Sequence, residues 1–173
     1  MSRNTIHREE YQIRKAELEE IPRIMPLYSR ARTFMQETGN KNQWINGYPS
    51  MEDIRNDIQE RCLFVCFSPE DEIVGAFFFK IEDEPTYHTI YEGEWLNDEP
   101  YGVIHRLASA GTYKGIGDIC FQWCLRQCKN LRADTHRDNY IMQHIFRKNG
   151  LVYCGIIHLR NGSERLAFQL FLR

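Results

Sequence analysis

The stretch Thr112-Tyr-Lys-Gly-Ile-Gly117 is the sharpest chemical feature of the chain. It follows an apolar run from Val103 to about Ala108, reached through Ser109-Ala-Gly, and precedes Ile119, Cys120, Trp123, Cys124 and Gln127 at helical spacing. A strand, a glycine loop and a helix in that order make the local geometry of an anion site. Gly115 and Gly117 let backbone approach a ligand closely, while the helix start aims unpaired N–H groups and a partial positive charge at it. A pyrophosphate suits such a place, and Lys114 adds a point charge. Glycines that merely serve a turn and its packing would look the same, so the loop needs support from elsewhere. Two nucleotide readings fail on spacing. A P-loop requires lysine after its glycines, followed by Ser or Thr, whereas here Lys114 precedes them and Asp118 follows. A dinucleotide fingerprint needs a further glycine and an early position, although Asp134 stands at roughly the expected acidic position.

The elements that must hold this loop can be read from periodicity. Residues from about Glu10 to Ala16 predict a first strand, with Tyr11, Ile13 and Lys15 on one face. Ile21, Ile24, Met25, Tyr28, Ala31, Arg32 and Met35 predict a helix ending near Gly39, with Pro22 in its first turn and Pro26 expected to bend it or delay its start. Gly39 to Pro49 reads as loop. Ser50 and Asp53 resemble a capping box before a helix with Ile54 and Ile58 on its buried stripe. Arg61–Ser68 and Ile73–Ile81 predict a hairpin across Pro69–Glu72. Tyr87–Trp95 alternates loosely as a strand, and a stronger strand starts at Val103. Beyond the loop and its helix come a short strand, Leu131–Thr135, a helix from Asn139 to Asn149 closed by Gly150, and a hairpin of Leu151–Arg160 and Glu164–Phe171 around Asn161-Gly162. The expectation is one domain over residues 1–173: a mixed α/β, α+β-like, mostly antiparallel sheet with helices on both faces.

Composition bounds the function. The chain has 173 residues, 22 basic and 24 acidic side chains, and a net charge of −2, which argues against a polyanionic partner such as nucleic acid. The modestly basic stretch from Arg126 to Arg137 lacks interleaved aromatics and changes nothing. No apolar run approaches the roughly 20 residues that cross a bilayer, and Met1–Glu10 is too polar for a secretory core, so no membrane partner and a cytoplasmic location are expected. The six cysteines read as reduced thiols. Cys120, Cys124 and Cys128 share a helix face without a histidine, which reads as core and not as a metal site.

The segment His136-Arg-Asp-Asn-Tyr-Ile-Met-Gln-His-Ile-Phe-Arg-Lys-Asn-Gly150, taken with the Thr112–Gly117 loop, resembles the GNAT superfamily of N-acetyltransferases. The matching positions are Gly115 and Gly117, then Asn139, Met142, Lys148 and Gly150-Leu151, and the order of elements agrees over nearly the whole chain. The resemblance implies the acyl-CoA N-acyltransferase fold, in which the parallel strands at 103–109 and 131–135 splay apart to admit acetyl-CoA. It also implies that the strand around Leu107, Ala108 and Ser109 bonds the pantetheine arm. Backbone N–H groups of Tyr113, Lys114, Gly115, Ile116, Gly117 and Asp118 would hold the pyrophosphate, and Asn139 would touch the arm. Thr112 stands where the family usually has Arg or Gln, leaving Lys114 or Arg147 to supply charge. Phe146 stands where the family often has a general-acid tyrosine, with Tyr140 and Tyr153 as possible substitutes.

Such a reaction holds an amine beside a thioester, takes a proton from an ammonium and gives the oxyanion an N–H near Leu107 or Ala108. Glu92, Glu94 and His105 are the candidate bases. On a regular strand Ile90, Glu92 and Glu94 share a face, so both acids look into the cleft or both out of it. Exposed surface is the commoner fate of the acids, and a buried or hydrogen-bonded strand position accounts equally for the histidine. Trp44 and Tyr48 lie in the loop where the family lines its acceptor pocket; an aromatic anchor for that loop accounts for them equally. The expected acceptor is a small-molecule or peptide amine, and the acidic run Glu82–Glu84 would attract its cation. A noncatalytic acyl-CoA-binding or regulatory domain, or a module for a macromolecular partner, are the other readings. Pairing of two copies through the C-terminal strands is a possible oligomeric state.

Overall fold

A computed structural model describes residues 8–173. The rest of the polar N-terminal segment used above lies outside the described residues. One sheet of seven strands runs in the order β1 (Gln12–Lys15), β2 (Leu63–Phe67), β3 (Ile73–Lys80), β4 (Gly102–Ser109), β5 (Asn130–Thr135), β7 (Glu164–Phe171), β6 (Val152–His158). Every neighbouring pair is antiparallel except β4 and β5, which are parallel. Two helices, α1 (Ile21–Glu37) and α2 (Met51–Gln59), cover one face, and α3 (Ile116–Gln127) and α4 (Tyr140–Lys148) cover the other. Strand β2 displays the reason: Leu63, Val65 and Phe67 pack with α1 and α2, while Phe64 and Cys66 pack with α3. A strand buried on both faces needs apolar residues without alternation, and Leu-Phe-Val-Cys-Phe supplies them.

The helix ends follow local chemistry. Ser50 and Asp53 form the expected reciprocal cap of α2, with the Ser50 amide donating to the Asp53 carboxylate at 2.7 Å and the Asp53 amide to Ser50 Oγ at 3.1 Å. Pro26 neither delays nor ends α1, which starts at Ile21 and contains it. Only one early backbone bond is forfeited there, and burial of Ile21, Ile24, Leu27 and Tyr28 offsets the loss. Cys120 and Cys124 of α3 are buried in the core against the sheet.

The segment between β3 and β4 departs from the sequence expectation. Instead of a strand over Tyr87–Trp95 there is a short 3-10 turn, Pro85–Tyr87, and a single bridge from Tyr91 to Ile156. Side chains, not a ladder, hold this excursion. Trp95 Nε1 donates to the Tyr87 carbonyl at 2.9 Å. The Arg132 guanidinium lies between the rings of Trp95 and Tyr101, 4.3 and 4.0 Å from their centroids, and donates to the Asn97 carbonyl at 2.7 Å. Backbone packs directly on backbone at Gly93, where a Cβ would fall 1.9 Å from the Cys154 carbonyl oxygen. Tyr87, Tyr101, Val103, Ile157 and Ala167 thereby form a separate small core on the sheet face that α1 and α2 leave open.

Candidate active site

Parallel pairing of β4 with β5 covers only Gly102–Leu131, Val103–Arg132 and Ile104–Ala133. Beyond Ile104 the strands part, and β4 continues through His105 to Ser109 with backbone groups free on its β5 side. On its other edge β4 stays paired with β3, but with an extra residue: His105 opposes Phe78 and Ala108 opposes Ala76. The bulge sits at Arg106, whose φ of 51° is a left-handed conformation that a non-glycine residue adopts only when its surroundings enforce it. Three groups do so. Tyr28 Oη donates to the Arg106 carbonyl at 2.8 Å, Arg106 Nε and Nη2 each meet an Asp57 oxygen at 2.7 Å, and Nη1 donates to Tyr48 Oη at 2.7 Å. Burial works against this guanidinium, yet Tyr48 and Asp57 hold its pKa above the ordinary value. Burial also pushes the Asp57 carboxyl up against the pull of Arg106; the paired 2.7 Å contacts keep the two ionic. Because of the bulge, His105 and Arg106 both turn toward the α2 side, and Leu107 packs on the α3 side.

A cleft of about 810 Å³ opens along this splay, with His105, Arg106 and Leu107 on one wall and Asp134, Thr135, Asn139 and Met142 on the other. Trp44 and Tyr48, from the loop of residues 39–49, both line it. His105 Nε2 lies 3.6 Å from Glu84 Oε2 and Nδ1 lies 3.7 Å from Asp134 Oδ2, ion-pair distances longer than hydrogen bonds. The Glu84 carboxylate is held down to about 2 by His105 first, against its burial, and then by the amide and hydroxyl of Thr86. Asp134 accepts a 2.7 Å bond from Tyr87 Oη. The excursion between β3 and β4 thus delivers both Glu84 and Tyr87 to the histidine.

The loop of residues 111–115 is largely exposed, with Thr112 and Lys114 at the surface and Tyr113 edge-on to Tyr11. Gly115 caps α3 with φ 82°. The amides of Ile116, Gly117 and Asp118 open α3 and have no carbonyl partner within the helix. A Cβ built on Gly117 would point at Ile145 and Leu107, at 3.5 and 3.9 Å, so this glycine faces the gap between α3, α4 and β4. The free amides, the unpaired edge of β4 and this gap together fit an extended arm ending in phosphates. The Asp118 side chain turns away: it is buried and accepts from Lys148 Nζ at 2.6 Å and Asn149 Nδ2 at 2.8 Å. Only its amide is left for an anion. Ala108 and Ser109 pair with Ala76 and Gly75 of β3, which fixes the edge that the arm would meet. Asn139 has other work, since its Oδ1 caps α4 at the Met142 amide, 3.0 Å, and its Nδ2 donates to Gln43 Oε1 at 2.9 Å. Arg147 lies over the Phe168 ring at 5.5 Å.

Several candidates fall away from the cleft. Glu92 and Glu94 are exposed on the excursion, because Gly93 is pressed on β6 and Glu92 takes φ 55° instead of continuing a strand. Tyr140, 72% exposed, starts α4 on its outer side, and Tyr153, half exposed, packs edge-on to Phe168 away from the splay. Neither stands in for a tyrosine at 146. Phe146 itself is buried, with its ring against Phe121 and Phe168. Conversely, Asp57, Arg106 and Asp134 surround the site with no role assigned from sequence, and Glu84, expected only as part of a cation-attracting acidic run, stands beside His105. Gln43 too was missed: its Oε1 accepts from Asn40, Thr135 and Asn139 and ties the acceptor loop to β5 and α4. The acidic run Glu82–Glu84 was the one available signal.

No protein-family model matches the chain, and no curated protein shows significant similarity to it. Solved structures do. An acetyltransferase of the GNAT family from Streptococcus agalactiae 2603 is 34% identical, with 94% of this chain and 96% of that one covered and a TM-score of 0.86. A GNAT-family acetyltransferase from Listeria monocytogenes 4b F2365, 16% identical over 94% and 95% of the two chains, superposes with a TM-score of 0.70. The Salmonella typhimurium acetyltransferase that modifies the N-terminal serine of ribosomal protein L7/L12 shares the fold at a TM-score of 0.65, with 16% identity and coverage of 94% and 95%. At 34% identity over nearly its full length, with a TM-score of 0.86, the chain belongs to the GNAT family of acetyltransferases.

Proposed function

We propose that this acetyltransferase moves the acetyl group of acetyl-CoA to a primary amine of a small molecule or peptide by direct attack, with His105 as general base. The reading rests on one placement: of the three candidate bases only His105 lies in the cleft, on the unpaired part of β4 and between two carboxylates. When bound, acetyl-CoA supplies the acetyl group as a thioester with a thiol leaving group.

The chain's own residues do the rest. Amides of residues 113–118 at the start of α3 hold the phosphates, and the free edge of β4 orients the arm. His105 takes a proton from the acceptor's ammonium, so that the amine lone pair can form the new C–N bond as the C–S bond breaks, and the second proton that the nitrogen sheds on becoming an amide goes to the departing thiolate or to water. Glu84 and Asp134 stabilise the imidazolium that results, as carboxylates beside a catalytic histidine do elsewhere. An amide near Leu107 or Ala108 receives the negative charge that develops on the carbonyl oxygen. Phe146 offers the departing sulfur no proton; a thiol with a pKa near the roughly 8.5 of free cysteine leaves tolerably as thiolate.

Phe146 also favours a second reading, a noncatalytic acyl-CoA-binding domain. An amine screen that follows free thiol separates the two, since only the enzyme releases it in an acceptor-dependent way. His105→Gln is expected to lower kcat by about 100-fold or more while the affinity for acetyl-CoA, measured by calorimetry, stays unchanged. An unaltered kcat would remove His105 as the base, and no saturable binding of acetyl-CoA would remove the whole reading.

A further inference from the structure

The cleft is electrically two-ended. Its outer rim beside β3 and α2 carries Glu60, Glu82, Asp83 and Glu84, whereas the wall formed by the β6–β7 hairpin carries Arg160 and Arg165. Arg165 differs from an ordinary rim charge. It is 93% buried, since only 7% of its surface is exposed, and no carboxylate among the described residues comes within 4.0 Å of it. Its hydrogen bonds go to two backbone carbonyls, Glu164 at 2.9 Å and Gln43 at 3.4 Å, which leaves most of the five donors of a guanidinium uncommitted. Burial presses its pKa down and Asp134 only partly offsets that.

A buried cation without a counter-ion is costly. Arg106, less buried, has Asp57, and Arg132, as buried as Arg165 and likewise without a carboxylate, has two aromatic faces and the Asn97 carbonyl to offset the cost. The acid whose charge Arg165 feels, Asp134, is already engaged, because it accepts from Tyr87 and faces His105. Position completes the argument. Ile104 of β4 pairs with Ala133, and Leu166 of β7 pairs with Thr135, so His105 and Arg165 each stand one residue from the last pairs on facing sides of β5. Two strand spacings, about 10 Å, and two residues along β5, roughly 6–7 Å, separate their backbones before the splay is added, and both side chains line the same cleft.

We propose that Arg165 is the acceptor's carboxylate site and that the acceptor is of the amino-acid class, a small molecule carrying its amine and a carboxylate a few bonds apart. The amine lies at His105 beside the acidic rim, and the carboxylate takes the fork of Arg165 in the geometry that guanidinium and carboxylate share. This rests on the acetyl-transfer reading above. It excludes polyamines and other purely cationic amines as the preferred class.

The test pairs each of a panel of free amino acids with its carboxamide, measuring kcat/KM with acetyl-CoA for the wild type, Arg165→Met and Arg165→Lys. The best acids are expected to exceed their amides by roughly ten-fold or more in the wild type. In Arg165→Met that ratio should collapse toward one while acetyl-CoA affinity holds, and Arg165→Lys should restore part of it. Amides that serve as well as acids in the wild type, or a ratio that survives Arg165→Met, would overturn the proposal; if Arg165→Met does not fold, the wild-type ratio decides alone. Should no amine turn over at all, the acetyl-transfer reading falls, and calorimetry of N-acetyl amino acids against their amides on the coenzyme A-loaded protein still decides the role of Arg165. Tighter binding of the acids supports it and equal affinity refutes it.

Discussion

Arg106 shows how one residue can set the geometry of a site without reaching the reacting atoms. Its backbone is held in a left-handed conformation by Tyr28, and its side chain by Asp57 and Tyr48, so the bulge that points His105 into the cleft depends on contacts from α1, α2 and the acceptor loop. Removing one partner of a buried ion pair strands the other. Asp57→Ala is therefore expected to cost about 3 kcal/mol in urea denaturation and to lower kcat as β4 relaxes. A loss below about 0.5 kcal/mol would mean that solvent screens the pair. None of this was legible in the sequence. Nothing in Val-Ile-His-Arg-Leu-Ala-Ser marks a bulge, because the device is tertiary: Tyr28, Tyr48 and Asp57 lie on other elements, and each alone reads as ordinary helix or loop. His105 could be nominated from its type and strand and Glu84 only as part of an acidic run, whereas Asp134, which completes the surroundings of His105, could not.

At the scale of elements, those with a strong period or a local signal were readable, and those held by side chains were not. The cap of α2, the β2–β3 hairpin, the glycine-led start of α3 and Gly150 after α4, with φ 91°, all follow from residues within a few positions of one another. The excursion between β3 and β4 looked like a strand because Tyr91, Gly93 and Trp95 alternate with Glu92 and Glu94. Its shape is decided by the stack on Arg132 and by Gly93 against Cys154, contacts with distant strands. The start of α3 allows a direct test of the cofactor placement. At Gly117 a Cβ meets Ile145 at 3.5 Å, ordinary contact, so alanine should fold normally there, while a longer side chain would project into the gap beside Leu107. Gly117→Leu is expected to weaken acetyl-CoA binding about ten-fold or more in calorimetry, which corresponds to at least ~1.4 kcal/mol, with Gly117→Ala much closer to wild type. Unchanged affinity in Gly117→Leu with an intact fold would place the arm elsewhere.

Over the whole molecule, three carboxylates that fasten separate parts of the sheet are all held below their ordinary range. Glu20, despite its burial, is held down chiefly by two 2.8 Å bonds from Arg14, joining β1 to the start of α1. Asp118 overcomes its burial through Lys148 and Asn149 and joins α3 to α4. Glu84, held at about 2 chiefly by His105, joins the excursion to β4. A carboxylate with a lower pKa folded than unfolded contributes its full stability above the unfolded value and loses it as pH falls through the folded one. For Glu84 that window runs from its ordinary 4.5 down to about 2. The protein is therefore expected to lose stability steadily below pH 4.5, through groups that tie the excursion to β4, α3 to α4 and β1 to the start of α1. Glu84→Gln isolates one share of that loss. Gln keeps a carbonyl for Thr86 but no charge for His105, so the variant should be about 1–3 kcal/mol less stable than wild type at neutral pH. Near pH 2, where the wild-type carboxylate is also taking up its proton, the difference should shrink, leaving a flatter stability curve for the variant. Urea denaturation at a series of pH values measures both curves. If they run parallel down to pH 2, Glu84 is not an anchor of the fold, and its place beside His105 matters only to the chemistry.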